Sequence, residues 1–185
     1  MTAPLIRQAT ALDIDVLCHL GATTFRETYR GISDPREVDE YADEHFTPAQ
    51  VEAWLRRPDA RTLLVYLADA PVGYAHVRRA KVPDCVVDRA AIQLQRLYLL
   101  ASAQGHGAGS ALMDAALIEI AALGGRTVWL GAYDRNVKAL AFYAHRGFER
   151  VGTHEFEFGG QVYADPVLTR ATIIRPSPTN PETVR

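Results

Sequence analysis

The chain predicts a single α/β domain: a mixed, mostly antiparallel sheet of about seven strands flanked by helices. Three observations predict it. Apolar spacing near the N-terminus follows the helical period and changes to the strand period after Arg61, then alternates between the two. Caps, prolines and glycines fall at the changes of period. The length of 185 residues is close to one domain at roughly 150 residues each. We expect the body to cover residues 1–171 and a proline-rich tail, 172–185, to have little to bury.

The elements follow in order. Leu5 to Ala9 is a short strand. Asp13 caps a helix running to about Tyr29, with Ile14, Leu17, Leu20 and Gly21 on one face. Gly31 to Pro35 breaks it, and a second helix spans Pro35 to Phe46. Thr47 as cap and Pro48 at the first helical position open a third, ending near Arg57 and Pro58. Residues 62–68 and 72–80 form a hairpin around a turn at Asp69 to Pro71. Residues 90–100 form a long strand in which Ile92, Leu94 and Arg96 share one face, and Gln93, Gln95 and Leu97 the other. A helix from Ser110 buries Leu112, Ala116, Ile120 and Leu123 and stops at Gly124 and Gly125. Residues 126–132 are a strand, Asn136 to Arg146 a helix stopped by Gly147, and two strands follow, Phe148 to Phe158 and Gln161 to Thr169.

Composition excludes several classes. Hydrophobic residues make up 48% and charged residues 23%, the range of globular domains, and the net charge of −2 gives no global basic field for nucleic acid or anionic lipid. No apolar run reaches the roughly 18 residues of a membrane span, and the N-terminus lacks the pattern of a secretory leader, so a cytoplasmic location is expected. The two cysteines, Cys18 and Cys85, form no disulfide framework and sit in no redox motif; they read as small hydrophobes. No His, Cys or carboxylate spacing suggests a metal site.

The chemistry-bearing segment is Gln104 to Gly109, Gln-Gly-His-Gly-Ala-Gly, between a strand and a helix. Glycines there let backbone approach a ligand, and the free amides of a helix start attract anions. A P-loop is excluded because no Gly-Lys-Ser/Thr follows, and the dinucleotide fingerprint fails because Leu112 stands in place of its third glycine.

Gln104-x-x-Gly107-x-Gly109 resembles the phosphate-binding turn of the GNAT family of N-acetyltransferases. The preceding strand Arg96 to Leu99, the stretch Trp129 to Asn136, the helix segment Ala139 to Tyr143 and the turn Gly147-Phe148 are similar to that family's successive elements. The resemblance covers roughly residues 5–170. It implies a sheet splayed between the fourth and fifth strands, and acetyl-CoA as co-substrate. Thr24 to Tyr29, Tyr41 to Phe46 and the hairpin further resemble the PaiA-type polyamine acetyltransferases within the family.

By that resemblance Gln104, Gly105, His106, Gly107, Ala108, Gly109 and Ser110 would hold the pyrophosphate. Leu97, Tyr98 and Leu99 would pair with the pantetheine arm, which Asn136 would hydrogen-bond and Ala139 would leave room for. Asn136 also suits a helix N-cap. Tyr143 matches the tyrosine that donates to the departing sulfur. A phenol near pKa ~10 is a weaker acid than a thiol near ~8.5, so hydrogen bonding to the developing charge is expected rather than full proton transfer.

The acceptor amine needs a base, because an alkylamine of pKa about 10.4 is mostly protonated at pH 7. Where many relatives carry a strand glutamate, this chain has Gln93 and Gln95. Four candidates remain open: a water held by those amides, Tyr98, His76 or His154. His19, His45, His106 and His145 read as surface or loop residues. Between Asp34 and Glu52 seven carboxylates face Arg36 alone, and Glu27, Tyr29, Glu40 and Glu44 are candidate wall residues of an acidic acceptor cleft. With the PaiA-like pattern, this implies a polyamine such as spermidine or spermine. The alternatives are a protein or peptide amine, an amino-sugar antibiotic, or a non-catalytic sensor of acetyl-CoA. A small-molecule amine, no nucleic acid, no membrane and a possible homodimer complete the expected partners.

Overall fold

The computed structural model describes residues 3–158 and 161–172, with side chains described outside 156–163. Most of the expected tail, 173–185, therefore lies outside the described residues. The elements are β1 (Leu5–Gln8), α1 (Ile14–Tyr29), α2 (Pro35–His45), α3 (Pro48–Arg56), β2 (Ala60–Leu67), β3 (Ala70–Arg78), β4 (Ile92–Leu99), α4 (Ala108–Ala122), β5 (Thr127–Gly131), α5 (Val137–His145), β6 (Glu149–Phe158) and β7 (Gln161–Ala171). The strands form one sheet in the order β1-β2-β3-β4-β5-β7-β6, antiparallel except between β4 and β5. The predicted α/β class and seven strands are those observed.

Local chemistry accounts for the element starts. Asp34 accepts from the Arg36 amide at 2.9 Å and Thr47 from the Gln50 amide at 3.3 Å, each ahead of a proline that needs no donor partner in the first turn. Asp13 stands at the N-cap of α1 but makes no side-chain cap bond there; the cap is made one turn earlier, by Thr10, on the 3-10 turn Ala11–Asp13 that leads into α1. Thr10 and Asp13 form a capping box, and the Asp13 carboxylate receives Arg7 at 2.6 Å. That ion pair holds the buried carboxyl at about 2. The β2–β3 turn is one step earlier than predicted. Ala68 and Asp69 take positive φ, as a two-residue hairpin turn requires, and Pro71 lies in β3 beside a bulge that spares the missing donor. Thr172 also belongs to the body, not the tail: it is buried and its hydroxyl donates to the Gly125 carbonyl at 2.8 Å.

Two apolar cores lie on opposite faces of the sheet. On one, Leu112, Met113, Ala116 and Ile120 of α4 pack on Leu63, Val65, Ala75, Val77, Ile92 and Leu94. On the other, Leu17, Leu20 and Phe25 of α1, Val38 and Ala42 of α2 and Val51 of α3 cover Leu64 and Tyr74. The alternation expected along β4 fails halfway. His76 pairs with Arg96 but Val77 with Leu94, so Gln95 is an extra residue in the ladder. This β-bulge reverses the side-chain parity. Leu97 and Leu99 thereby join Ile92 and Leu94 on the α4 face, while Arg96 and Tyr98 point to the α1–α3 face.

His76 sits in this second core at 1% exposure, with Nδ1 2.9 Å from the Thr62 hydroxyl. Burial, and then the nearby Arg96 and Arg78, push its pKa down to about 3, so it is neutral in the folded protein. The unfolded chain regains a value near 6.5, so this neutral histidine favours folding above that pH and the advantage is lost as pH falls. Urea unfolding at pH 7, 6 and 5 should show stability falling by up to about 1.4 kcal/mol per pH unit from this group, and the His76→Gln variant should show a shallower fall.

Candidate active site

Only two residue pairs join β4 to β5, Ile92 with Val128 and Gln93 with Trp129. Beyond them the strands diverge, and the β4 residues from Gln95 to Leu99 have no partner on β5. Two cavities meet at this splay, sharing Tyr29, Gln95, Tyr98, Gly131 and Tyr133 as common wall.

The larger, about 610 Å³, opens between β4, the turn before α4, and α5. Gln104, Gly105, Gly107, Gly109 and Ser110 line it, with Leu97, Tyr98, Leu99, Asn136, Ala139 and Tyr143. Gly105 and Gly107 both have φ +81°, a region in which a Cβ is strained, and Gly107 is the cap from which α4 starts. The early amides of α4 therefore remain available to an anion. Asn136 does both things its position allows: Oδ1 accepts from the Ala139 amide at 3.1 Å, capping α5, and the residue lines the cavity. His106 is exposed and outside the lining, and the Ala108 side chain is buried in the α4 core, leaving only backbone for a ligand. The geometry and anion-attracting turn fit acetyl-CoA's elongated, phosphate-bearing form.

Tyr143 closes this cavity from α5, edge-on to Phe142 and Phe148. Burial raises its pKa, as it does for Tyr29 and Tyr98, whose hydroxyls lie 3.4 Å apart. All three phenols stay protonated at neutral pH. Tyr143 is therefore a donor, and Tyr98, proposed from the sequence as a base, is not suited to that role.

The smaller cavity, about 310 Å³, lies on the α1–α3 face and continues under β5 to β7. Phe25, Tyr29, Tyr41, Phe46, Tyr98 and Tyr133 give it aromatic walls; Ser33, Arg78, Gln93, Gln95, Arg96, His154 and Asp165 are its other polar groups. Asp165 and His154 are cross-strand partners on β7 and β6. Asp165 is 7% exposed; it accepts from the Asp134 amide, while its Oδ1 is buried without a hydrogen-bond partner among the described residues. Burial raises its pKa above the ordinary carboxylate value, against the opposing effects of His154 and of the hydrogen bond from the Asp134 amide. His154 Nδ1 lies 2.9 Å from the Glu155 carbonyl, which can only accept, so Nδ1 carries the hydrogen and Nε2 is left as an acceptor in the neutral ring. Nε2 rests on Gly131, where a Cβ would come within 2.6 Å.

Several sequence expectations are redirected here. Gln93 and Gln95 do line the cavity, Gln93 accepting from Arg78 Nε at 3.0 Å. His154 is present, whereas His76 is buried behind Trp54 and lines neither cavity. Glu27 belongs to the other chamber, where it accepts from the Ala101 amide at 2.8 Å. Glu40 and Glu44 are exposed and line neither. The acidic segment is also partly neutralised: Asp39 pairs with Arg26 and Arg30 at 2.7 Å each, and Asp43 with Arg26. Asp165 was missed because no motif surrounds it; its place in the cavity is visible only once β7 is paired beside β5.

A splayed mixed sheet with a glycine-rich turn opening a helix on one side and an aromatic chamber with polar groups on the other is the arrangement of CoA-type acyltransferases. Comparison with known proteins specifies it. The acetyltransferase (GNAT) family profile matches residues 24–148, and the chain belongs to that family. It is an acyltransferase. An uncharacterized N-acetyltransferase of Mycobacterium bovis is 31% identical over 161 residues, covering 87% of this chain and 99% of its own. Among solved structures, a PaiA N-acetyltransferase of Thermoplasma acidophilum in complex with coenzyme A superposes with a TM-score of 0.76 at 17% identity, covering 92% and 99% of the two chains. A GNAT protein of Rhodopseudomonas palustris gives 0.73 at 22%, covering 92% and 97%. Among the described residues no cluster of ligands could hold a metal, and no helix is long and apolar enough to cross a membrane.

Gly107 supplies a direct check on the larger cavity. Gly107→Ala forces a side chain into a left-handed backbone, costing about 1 kcal/mol of stability. Because it displaces the amides at the head of α4, it should also raise the KM for acetyl-CoA roughly tenfold or more, with a smaller effect on the acceptor KM.

Proposed function

We propose that the protein transfers acetyl from acetyl-CoA to a primary amine by direct attack, with Asp165 as the base and Tyr143 as the donor to sulfur. The observation that carries this is the junction of the two cavities, with a protonated phenol on one side and a buried, half-partnered carboxylate on the other. Gln104, Gly105, Gly107, Gly109 and Ser110 would hold the phosphates, and Leu97, Leu99, Asn136 and Ala139 the pantetheine arm. The CoA complex of the similar Thermoplasma protein supports that assignment. Acetyl-CoA, when bound, supplies the acetyl group as a reactive thioester.

The protein's own groups then divide the work. The aromatic walls exclude water around the amine. Asp165, with its proton affinity raised by burial, takes the ammonium proton directly or through His154 Nε2, freeing the nitrogen lone pair for attack. The phenol of Tyr143 donates a hydrogen bond toward the sulfur as the C–S bond breaks. Neither cysteine lies in the cavities, so nothing in the lining calls for an acetylated enzyme.

A polyamine acceptor is a second reading, favoured by the exposed Glu40 and Glu44, which form no ion pair among the described residues. The arginines inside the acceptor cavity weigh against it. CoA release measured with spermidine, spermine, small amines, a peptide and an aminoglycoside separates these readings; binding of acetyl-CoA with no turnover of any amine would make the protein a sensor.

With an active amine, Tyr143→Phe should lower kcat on the order of 10²-fold with little change in acetyl-CoA binding. The profile of kcat/KM should rise with pH through a pKa above the ordinary carboxylate value, since Asp165 must be ionised to accept. Asp165→Asn should remove that limb and lower kcat/KM roughly 10²- to 10³-fold, leaving only the limb of the amine itself. An unchanged profile in this variant would exclude Asp165 as the base.

A further inference from the structure

We infer that Arg78 and Arg96 form an anion subsite in the acceptor cavity, and that the acceptor is a small primary amine that also carries a carboxylate. The inference rests on the amine-transfer reading above and names its substrate class.

Four observations support it. Both arginines line the smaller cavity and are half-buried. Among the described residues no carboxylate forms an ion pair with either, although Arg7, Arg26, Arg30, Arg57 and others are all paired. Among the described residues the side-chain hydrogen bond of Arg78 runs from its Nε to the neutral Gln93, and Arg96, whose polar neighbours Tyr41 and Tyr74 are neutral hydroxyls, keeps Nη1 buried without a partner. Finally, Arg96 is held in place: its guanidinium lies 4.3 Å from the Trp54 ring centroid and 5.6 Å from that of Phe46. A half-buried cation beside another, with no anion between them, is unfavourable by itself. Burial and the charges of Arg57 and Arg96 both lower the pKa of Arg78, with Asp59 the one opposing charge and already paired to Arg57. An arriving anion relieves both effects and meets planar donors suited to a carboxylate.

The opposite polarity lies elsewhere in the same chamber. Asp165 feels His154 and Asp134 rather than the arginines, so the chamber presents cationic groups at β3 and β4 and an anionic group at β7. A volume of about 310 Å³ is at the small end of ligand cavities, about 300–1,000 Å³, and suits an amino-acid-sized molecule. A polyamine would place ammonium groups against Arg78 and Arg96.

The test compares acceptors that differ only in the charged group: L-amino acids, their carboxamides, the corresponding decarboxylated amines and an aminoalkyl phosphate. CoA release should favour the carboxylates on the order of 10²-fold in kcat/KM. That ratio should collapse toward one in Arg78→Gln and in Arg96→Met, the latter retaining the stem between Trp54 and Phe46, with the acetyl-CoA KM unchanged. Preference for the phosphate would assign the subsite to that anion instead and overturn the carboxylate. Equal turnover of acids and amides overturns the subsite while leaving the acetyltransferase reading intact. Calorimetry with N-acetyl amino acids and their amides, in the presence of CoA, gives a readout independent of turnover. Selective binding of the acids without any transfer keeps the subsite and overturns the transfer; no selective binding and no transfer overturns both.

Discussion

One extra residue in β4 organises both chambers. Strand side chains alternate, so a regular β4 would direct Arg96 into the apolar layer under α4 and Leu97 out toward the acceptor cavity. The bulge at Gln95 exchanges them. Leucines 97 and 99 then complete the core beneath the larger cavity, and Arg96 and Tyr98 reach the aromatic chamber on the far face. The same distortion coincides with the loss of pairing to β5, which opens the space between the strands. A packing requirement and a site requirement are thus met by the same local irregularity.

The electrostatics of the site follow from where neutralisation occurs. On the outer helices carboxylates and arginines meet one another, as Asp39 does with Arg26 and Arg30, and their fields largely cancel before reaching the cavity. Inside, Arg78 and Arg96 at one end and Asp165 at the other form no ion pair among the described residues. Uncompensated groups in a partly dry space bind and react more strongly than surface charges do, and they concentrate where chemistry is performed.

Much of this was legible in the sequence because it is encoded locally. Thr47-Pro48, the glycine turn before α4 and the helical spacing of Leu112, Ala116 and Ile120 each specify their own structure within a few residues. The larger cavity is also built locally, mainly from the segments Leu97 to Ser110 and Asn136 to Tyr143. The smaller cavity is not. Gln93, Arg78, Tyr41, His154 and Asp165 come from five separate elements, and sheet register alone brings them together. The β4 bulge escaped the sequence because the run from Ile92 to Leu99 is consistent with regular alternation as far as Arg96; only its pairing with His76 and Val77 reveals the slip. Asp13 was misread for a similar reason, since its ion pair with Arg7 depends on the pairing of β1. The acidic run overstated the field at the cleft because the arginines that answer it lie earlier in the chain, on α1.

Gly131 shows how economically the chamber is closed. With hydrogen in place of a side chain, it admits the imidazole of His154, so a residue from the outermost strand reaches past β7 to the junction. The acceptor chamber is consequently walled by both halves of the sheet, β3 and β4 on one side and β5, β6 and β7 on the other, across a seam of two paired positions. A molecule that filled it would touch both halves at once. A molecule bound across that seam would cross-link the protein at its most sparsely bonded line, so that occupancy would add to the stability of the folded state.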